Sequence, residues 1–207
     1  MRLLWFTDTL ADVNGVSRFI RDIARIAHAR GDDVTVVTST RLPMPEMANG
    51  VNIEPRMASR MPGYGHLEIV WPRWGEMGRF AAAHKPDVIH VSTPGPVGLA
   101  GVLAARKLRV PLVGVYHTDF PAYIDRLLND GALSWMCERV MRAFYGGFGR
   151  VLTRSGSYID SVARLGVPRG RITPLKAGID TSRFNTSFRD EGIWKALASR
   201  GVGGHKE

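Results

Sequence analysis

The chain has 207 residues, 44% of them apolar, which suits one good-sized α/β domain and excludes a disordered chain. Lysine and arginine outnumber aspartate and glutamate by 28 to 19, and this net charge of +9 points to acidic partners: phosphate-bearing ligands, anionic lipid or nucleic acid. The arginines are spread along the chain, and no RNA-binding aromatic motif, helix-turn-helix spacing or zinc-ligand cluster is visible, so neither nucleic acid nor a metal is expected.

No run of about 18 apolar residues predicts a membrane-spanning helix. The apolar stretch at the N-terminus meets Thr7 and Asp8 after four residues, too short for a signal peptide. Cys137 stands alone, so a disulfide within the chain is excluded and a cytoplasmic location is expected.

In chain order, residues 3–6 form the first predicted strand, which ends in Thr7-Asp8-Thr9. After a loop ending Asn14-Gly15, Val16, Phe19, Ile20, Ile23, Ile26 and Ala27 recur at helical spacing, and Gly31 closes that helix. The β-branched run 34–38 is a second buried strand. Strand–helix–strand units of this kind give a parallel sheet with right-handed crossovers. Residues 41–49 read as a loop, 51–54 as a short strand, and 56–67, rich in Pro, Gly, Met and Arg, as a long loop of a functional or mobile kind. A helix is predicted over 71–84, with Pro72 in its first turn. A strand over 86–91 runs into Ser92-Thr93, and a helix follows from about Pro96 to Lys107.

The apolar run 112–116 then stops abruptly at His117-Thr118-Asp119. Residues 124–129 give no clear pattern. A helix is expected over 133–148, with Met136, Val140, Met141, Phe144 and Tyr145 facing the core and Cys137 buried. A strand over 150–153, a helix over 157–165 and a strand over 171–175 complete the series, with turns at 177–180 and 182–184. No internal repeat is present.

In a parallel sheet, ligands collect beyond the carboxyl ends of the strands. The first such end leads into a helix through Asn14, Gly15 and Val16, where unpaired amides and the helix dipole favour a phosphate, and Gly15 leaves the backbone open to approach. The alternative is a glycine that serves only a tight loop. The loop has one glycine, not the three of a dinucleotide fingerprint, and no Gly-Lys-Ser/Thr of a phosphate-binding P-loop. His117 leaves three roles open: donor to a substrate, general base, or core histidine. Asp119 has three also: orienting His117, binding a hydroxyl, or capping the next turn. Asp8 ends the first strand in the same way, and two carboxylates at neighbouring strand ends suit a polyhydroxyl ligand. Tyr64 and Tyr123 either stack on a sugar or seal loops. Ser155 lacks the glycine two positions earlier that a nucleophile elbow needs.

The ordered set Phe6-Thr7-Asp8, Val13-Asn14-Gly15-Val16, Lys85-Pro86-Asp87-Val88-Ile89-His90, Tyr116-His117-Thr118-Asp119-Phe120-Pro121-Ala122-Tyr123 and Gly178-Ile179-Asp180 before Phe184 resembles the N-terminal domain of family 4 glycosyltransferases with the GT-B fold. Its His-Thr-Asp-Phe-Pro form is similar to members that act on lipids such as diacylglycerol or phosphatidylinositol derivatives. The resemblance implies a Rossmann-like parallel sheet flanked by helices, over residues 1–185, as the acceptor-side half of two domains. Residues 186–207 would be the linker to a donor-binding domain that supplies basic residues and paired carboxylates, and the 207 residues alone would be inactive.

By the same resemblance Asn14, Gly15 and Val16 meet the donor diphosphate and His117 contacts the donor sugar near the reacting carbon. Asp8, Tyr64, Thr118, Asp119 and Tyr123 lie on the acceptor side. The implied reaction transfers a hexose from a nucleotide-diphosphate sugar to a lipid or other hydroxyl acceptor, retains configuration and needs no cofactor. The leaving phosphate takes the acceptor proton, and basic groups stabilise its charge.

A non-catalytic sugar- or lipid-binding module is the first alternative. A nicotinamide-dependent oxidoreductase is disfavoured by the single loop glycine and by Thr38-Ser39 where an acidic residue should end the second strand. A hydrolase lacks a placed carboxylate pair. Arg18, Arg21 and Arg25 on one helix, with Met44, Met47, Met57 and Met61 in loops that read as exposed, suggest contact with an anionic membrane surface.

Overall fold

The computed structural model describes residues 1–61, 64–128, 130–175, 185–188 and 192; the side chains of 61, 64–67, 123, 124, 127, 128 and 188 lie outside that description. The chain divides into two units, Met1–Leu175 and Lys176–Glu207. The boundary expected at 185 falls within the second unit, and the turns expected over 177–184 lie outside the described residues.

The first unit is built on β1 (Leu3–Phe6), β2 (Val34–Thr38), β3 (Gly50–Asn52), β6 (Val88–Val91), β7 (Leu112–Tyr116), β8 (Arg150–Thr153) and β9 (Ile172–Pro174). They form one sheet in the order β3-β2-β1-β6-β7-β8-β9, and every pairing is parallel. The order reverses between β1 and β6, and a crevice opens at such a switch point. Because the strands are parallel, all their carboxyl ends share one rim.

Period-two alternation assigns side chains to the two faces. Leu4 and Phe6 of β1 join Ile89 and Val91 of β6 in the larger core. Trp5, between them in sequence, joins the second core with Leu10, Val36 and the inner face of α1 (Gly15–Ala29), Ile20 and Ala24. The helix ends as its sequence indicates: Gly31 has φ of +74°, a left-handed conformation that suits glycine.

The larger core is roofed by α2 (Trp74–His84), α3 (Pro96–Leu108) and α5 (Gly131–Tyr145), while α4 (Phe120–Leu128) packs on α5. Along α3, Gly98 and Gly101 let the helix lie directly on the sheet. A Cβ on Gly98 would stand 1.8 Å from the Thr93 carbonyl oxygen, and one on Gly101 would stand 2.8–2.9 Å from Phe6 and Val91. On β7, Gly114 leaves the space that the Phe148 ring fills; a Cβ there would stand 2.3 Å from it.

Several expectations are corrected. The stretch 56–67 is no loop: β4 (Met57–Met61) and β5 (Tyr64–Trp71) pair antiparallel as a separate two-stranded sheet, with Met57 opposite Trp71 and Ala58 opposite Val70. Val70 is buried and Ala58 packs against the larger core, while Met57, Ile69 and Trp71 stay exposed. Apolar residues thus stand on both faces of the hairpin, which erases the usual alternation of apolar inside and polar outside and hid the strand signal. Trp71 therefore ends a strand, and the helix begins at Trp74, after Pro72.

On α5 the buried stripe is Met141, Phe144 and Tyr145, with Cys137 half-buried against it; Met136 and Val140 are exposed. Met44 and Met47 are not exposed loop residues either, because they pack against the second core. Finally, the β3 strand is Gly50–Asn52, and the unassigned stretch after Tyr123 belongs to α4.

Candidate active site

The rim gathers polar groups from successive strand ends: Thr7 and Asp8 after β1, Ser92 and Thr93 after β6, His117 to Asp119 after β7, and Arg154 after β8. Asp8 sits at the switch point. One carboxylate oxygen accepts from the Val97 amide at 2.7 Å; the other accepts from the Thr93 hydroxyl at 2.6 Å and the Gly98 amide at 3.0 Å. The acid thus satisfies the open amides at the start of α3, where a negative charge is favoured. Gly95 is needed here, because a Cβ would stand 2.5–2.7 Å from that carboxylate. Burial pushes the Asp8 carboxyl up, against the pull of Thr93 and of the Val97 and Gly98 amides. The sequence reading gave Asp8 to a ligand; the fold gives it the work of joining β1 to α3.

Asn14 caps α1: its Oδ1 accepts from the Ser17 amide at 2.8 Å and its Nδ2 donates to Thr9 at 2.7 Å. The Ser17 hydroxyl donates to the Leu10 carbonyl, which fixes the loop from the other side. Gly15 is exposed with nothing within 4 Å of a notional Cβ, and Val16 is half-buried. Among the described residues the amides of Gly15 and Val16 make no hydrogen bond, so the first turn presents two free donors.

His117 packs edge-on against Phe19, 5.5 Å between ring centres. Phe19 stands one turn beyond Gly15, about 6 Å along the helix axis. Gly15 and His117 therefore lie on the same face of the sheet, linked through Phe19. Both His117 nitrogens are covered and without a hydrogen-bond partner. A covered, unpaired imidazole is costly, and it marks a place where a partner belongs. Burial, then the charge of Arg154, lowers the His117 pKa to about 4, so at neutral pH the ring is uncharged.

Behind it, His90 on β6 lies against Trp5, 4.6 Å between centres; its Nε2 is likewise unpaired, and burial and His117 lower its pKa to about 3.

Asp119 accepts from the Tyr116 hydroxyl at 3.0 Å and the Ala122 amide at 3.3 Å, so of its three open roles the capping one is filled. Thr118 is half-buried, and its carbonyl accepts from the Phe120 amide. Tyr64 lies in β5 and Tyr123 in α4, but both side chains fall outside the described residues. One expectation fails on topology: Asp8 and Asp119 do not end neighbouring strands, because β6 runs between β1 and β7. Sequence reasoning passed over Phe19 and Arg154. The register offered a signal for the second, since Tyr116 pairs with Thr153 and so sets His117 beside Arg154.

The sequence pattern of Glycosyltransferase Family 4 matches residues 13–183. The chain belongs to glycosyltransferase family 4. It is 30% identical to a GDP-mannose-dependent alpha-mannosyltransferase of Mycobacterium tuberculosis, over 88% of this chain and 48% of that protein. It is 28% identical to the alpha-monoglucosyldiacylglycerol synthase of Streptococcus pneumoniae, over 97% of this chain and 45% of that one. The crystal structure of Anabaena HepE in complex with UDP superposes with a TM-score of 0.62 at 17% identity, over 98% of this chain and 50% of HepE. The fold is that of a GT-B half, as the sequence resemblance implied, and the chain spans about half the length of the relatives it matches.

Proposed function

We propose that this chain forms the acceptor-side half of a retaining glycosyltransferase that moves a hexose from a nucleotide-diphosphate sugar to a lipid or other hydroxyl acceptor. The observation that carries this reading is the family match over 13–183, which spans both the open first turn of α1 and His117. In the transfer, the bond from the anomeric carbon to the leaving phosphate breaks and the acceptor oxygen bonds to the same face. The acceptor proton passes to the departing phosphate.

Asn14 holds the turn, and the amides of Gly15 and Val16 meet the diphosphate. His117, neutral, donates a hydrogen bond from its one N–H to the donor sugar, which pairs one of its two open nitrogens. Thr118, Asp119, Tyr64 and Tyr123 line the acceptor side, and Asp8 keeps the rim in register. The chain spans about half the length of its relatives, and on this reading the other half holds the base and the far side of the diphosphate, so no turnover is expected from these residues alone. A nucleoside diphosphate titrated into the isotope-labelled chain should shift the Gly15 and Val16 amide signals and the His117 ring signals saturably. A titration that leaves all three unmoved would overturn this assignment.

Membrane contact belongs to the same reading. The outer face of the hairpin shows Met57, Ile69 and Trp71 at 56–67% exposure, with Arg56 and Arg60 exposed beside them. Apolar insertion with nearby cations gives reversible adhesion to anionic lipid. On α1, by contrast, Arg18 faces Asp22 at 3.8 Å. In vesicle flotation the chain should rise with anionic but not neutral vesicles, and Trp71→Ser with Met57→Ser should abolish it; a double variant that floats as before removes the hairpin from the contact.

A further inference from the structure

One cation on the rim has no task in the transfer just described. Arg154 follows β8 and is half-buried, with its guanidinium carbon 4.6 Å from the centre of the Phe19 ring. We propose that Arg154 is a phosphate-binding residue of this cleft, laid on Phe19 so that its charge is presented beside His117 and the first turn of α1. The inference rests on the transferase reading only for which phosphate it meets.

Three features support it. First, the guanidinium is held but not neutralised. Arg142, Arg169 and Arg73 each face a carboxylate within 3.1 Å, whereas Arg154 has no ion pair among the described residues, and its covered Nε has no acceptor. Asp119, the acid that follows β7, is already engaged by Tyr116 and Ala122. Second, stacking on an aromatic face fixes the plane of a guanidinium and leaves its edge free for a forked contact with phosphate oxygens. Third, the groups around it include donors in want of an acceptor: the Gly15 and Val16 amides and the one N–H of the neutral His117 ring. A site with one cation and several free donors suits an anion. The charge of Arg154 also helps keep His117 neutral.

The phosphate comes either from the donor diphosphate or from a phosphorylated acceptor. Inorganic pyrophosphate and glycerol phosphate, titrated separately into the labelled chain, distinguish them. One of the two should shift the His117 ring and Gly15 amide signals, and Arg154→Gln should weaken that binding about tenfold, as loss of a charged hydrogen bond predicts. Arg154→Lys should recover part of it. Amide signals of β7 and β8 that stay in place report that the variants keep the fold.

Affinity unchanged in Arg154→Gln, or no binding of either anion to the parent chain, overturns the proposal. A nucleoside diphosphate that shifts Gly15 equally in parent and Arg154→Gln, with glycerol phosphate binding also unchanged by the substitution, removes Arg154 and leaves the transferase reading standing. Arg154-dependent pyrophosphate binding, with Gly15 untouched by any nucleotide, keeps Arg154 and removes that reading.

Discussion

Gly98→Ala is expected to destabilise the first unit by about 3 kcal/mol or more, the upper end of overpacking costs. The new methyl would lie 1.8 Å from a backbone oxygen, that of Thr93, which cannot rotate aside as a side chain would. To make room, α3 must lift from β6, and the lift pulls the Val97 and Gly98 amides away from Asp8. Alanine's better helix propensity returns only about 1 kcal/mol. Gly78→Ala in α2 is the matched control, because nothing lies within 4 Å of its Cβ; it should be neutral or mildly stabilising. Urea midpoints of the two variants decide the matter: a Gly98→Ala midpoint equal to the parent's would show that the helix does not seat as closely as described.

The second large effect is on acid stability. His90 is 7% exposed, and burial and its neighbour His117 take its pKa from 6.5 to about 3. Its folded pKa lies below the unfolded one, so between those values the unfolded chain binds the extra proton. Stability is therefore full above pH 6.5 and falls as pH drops towards 3, by up to about 1.4 kcal/mol per pH unit. From pH 6.5 to 5 this amounts to about 2 kcal/mol from His90. His117, lowered to about 4, adds in the same direction over its own window. Arg154 faces His117 from β8 and strengthens the effect.

Asp8 and Asp12 act oppositely: burial pushes both carboxyls up from 3.8, so the folded chain takes their protons first and gains stability as pH falls. The comparison of the parent with His90→Gln isolates the histidine. The variant's stability should fall less steeply between pH 6.5 and 5, and parallel slopes would show that His90 does not carry the effect.

The main sheet was legible because its strands are short apolar runs that stop at polar residues, and because α1 carries an unbroken 3.6-residue pattern between Asn14 and Gly31. The hairpin was not legible. Its inward residues, Ala58 and Val70, are small, while Met57, Ile69 and Trp71 point outward, so neither alternation nor composition marked it as structure.

The stripe on α5 was drawn too wide: Met141, Phe144 and Tyr145 are buried as expected, but Met136 and Val140, equally apolar, are exposed. At the site, single residues were found where a strand end announces chemistry, as at His117. What the sequence hid was engagement: Asp8 and Asp119 look like free ligands until the Gly98 and Ala122 amides are seen to hold them. Arg154 was hidden in the reverse sense, since only the pairing of β7 with β8 brings it beside the histidine.

The place of β6 also keeps the two acids of the rim apart. With one strand interposed, the segments that carry Asp8 and Asp119 are two lattice steps from each other, about 10 Å. At that spacing neither carboxylate presses its charge closely on the other, so each is held by its own helix, Asp8 by the Val97 and Gly98 amides and Asp119 by the Ala122 amide. The strand between them thus lets two acids sit on one rim without sharing a proton.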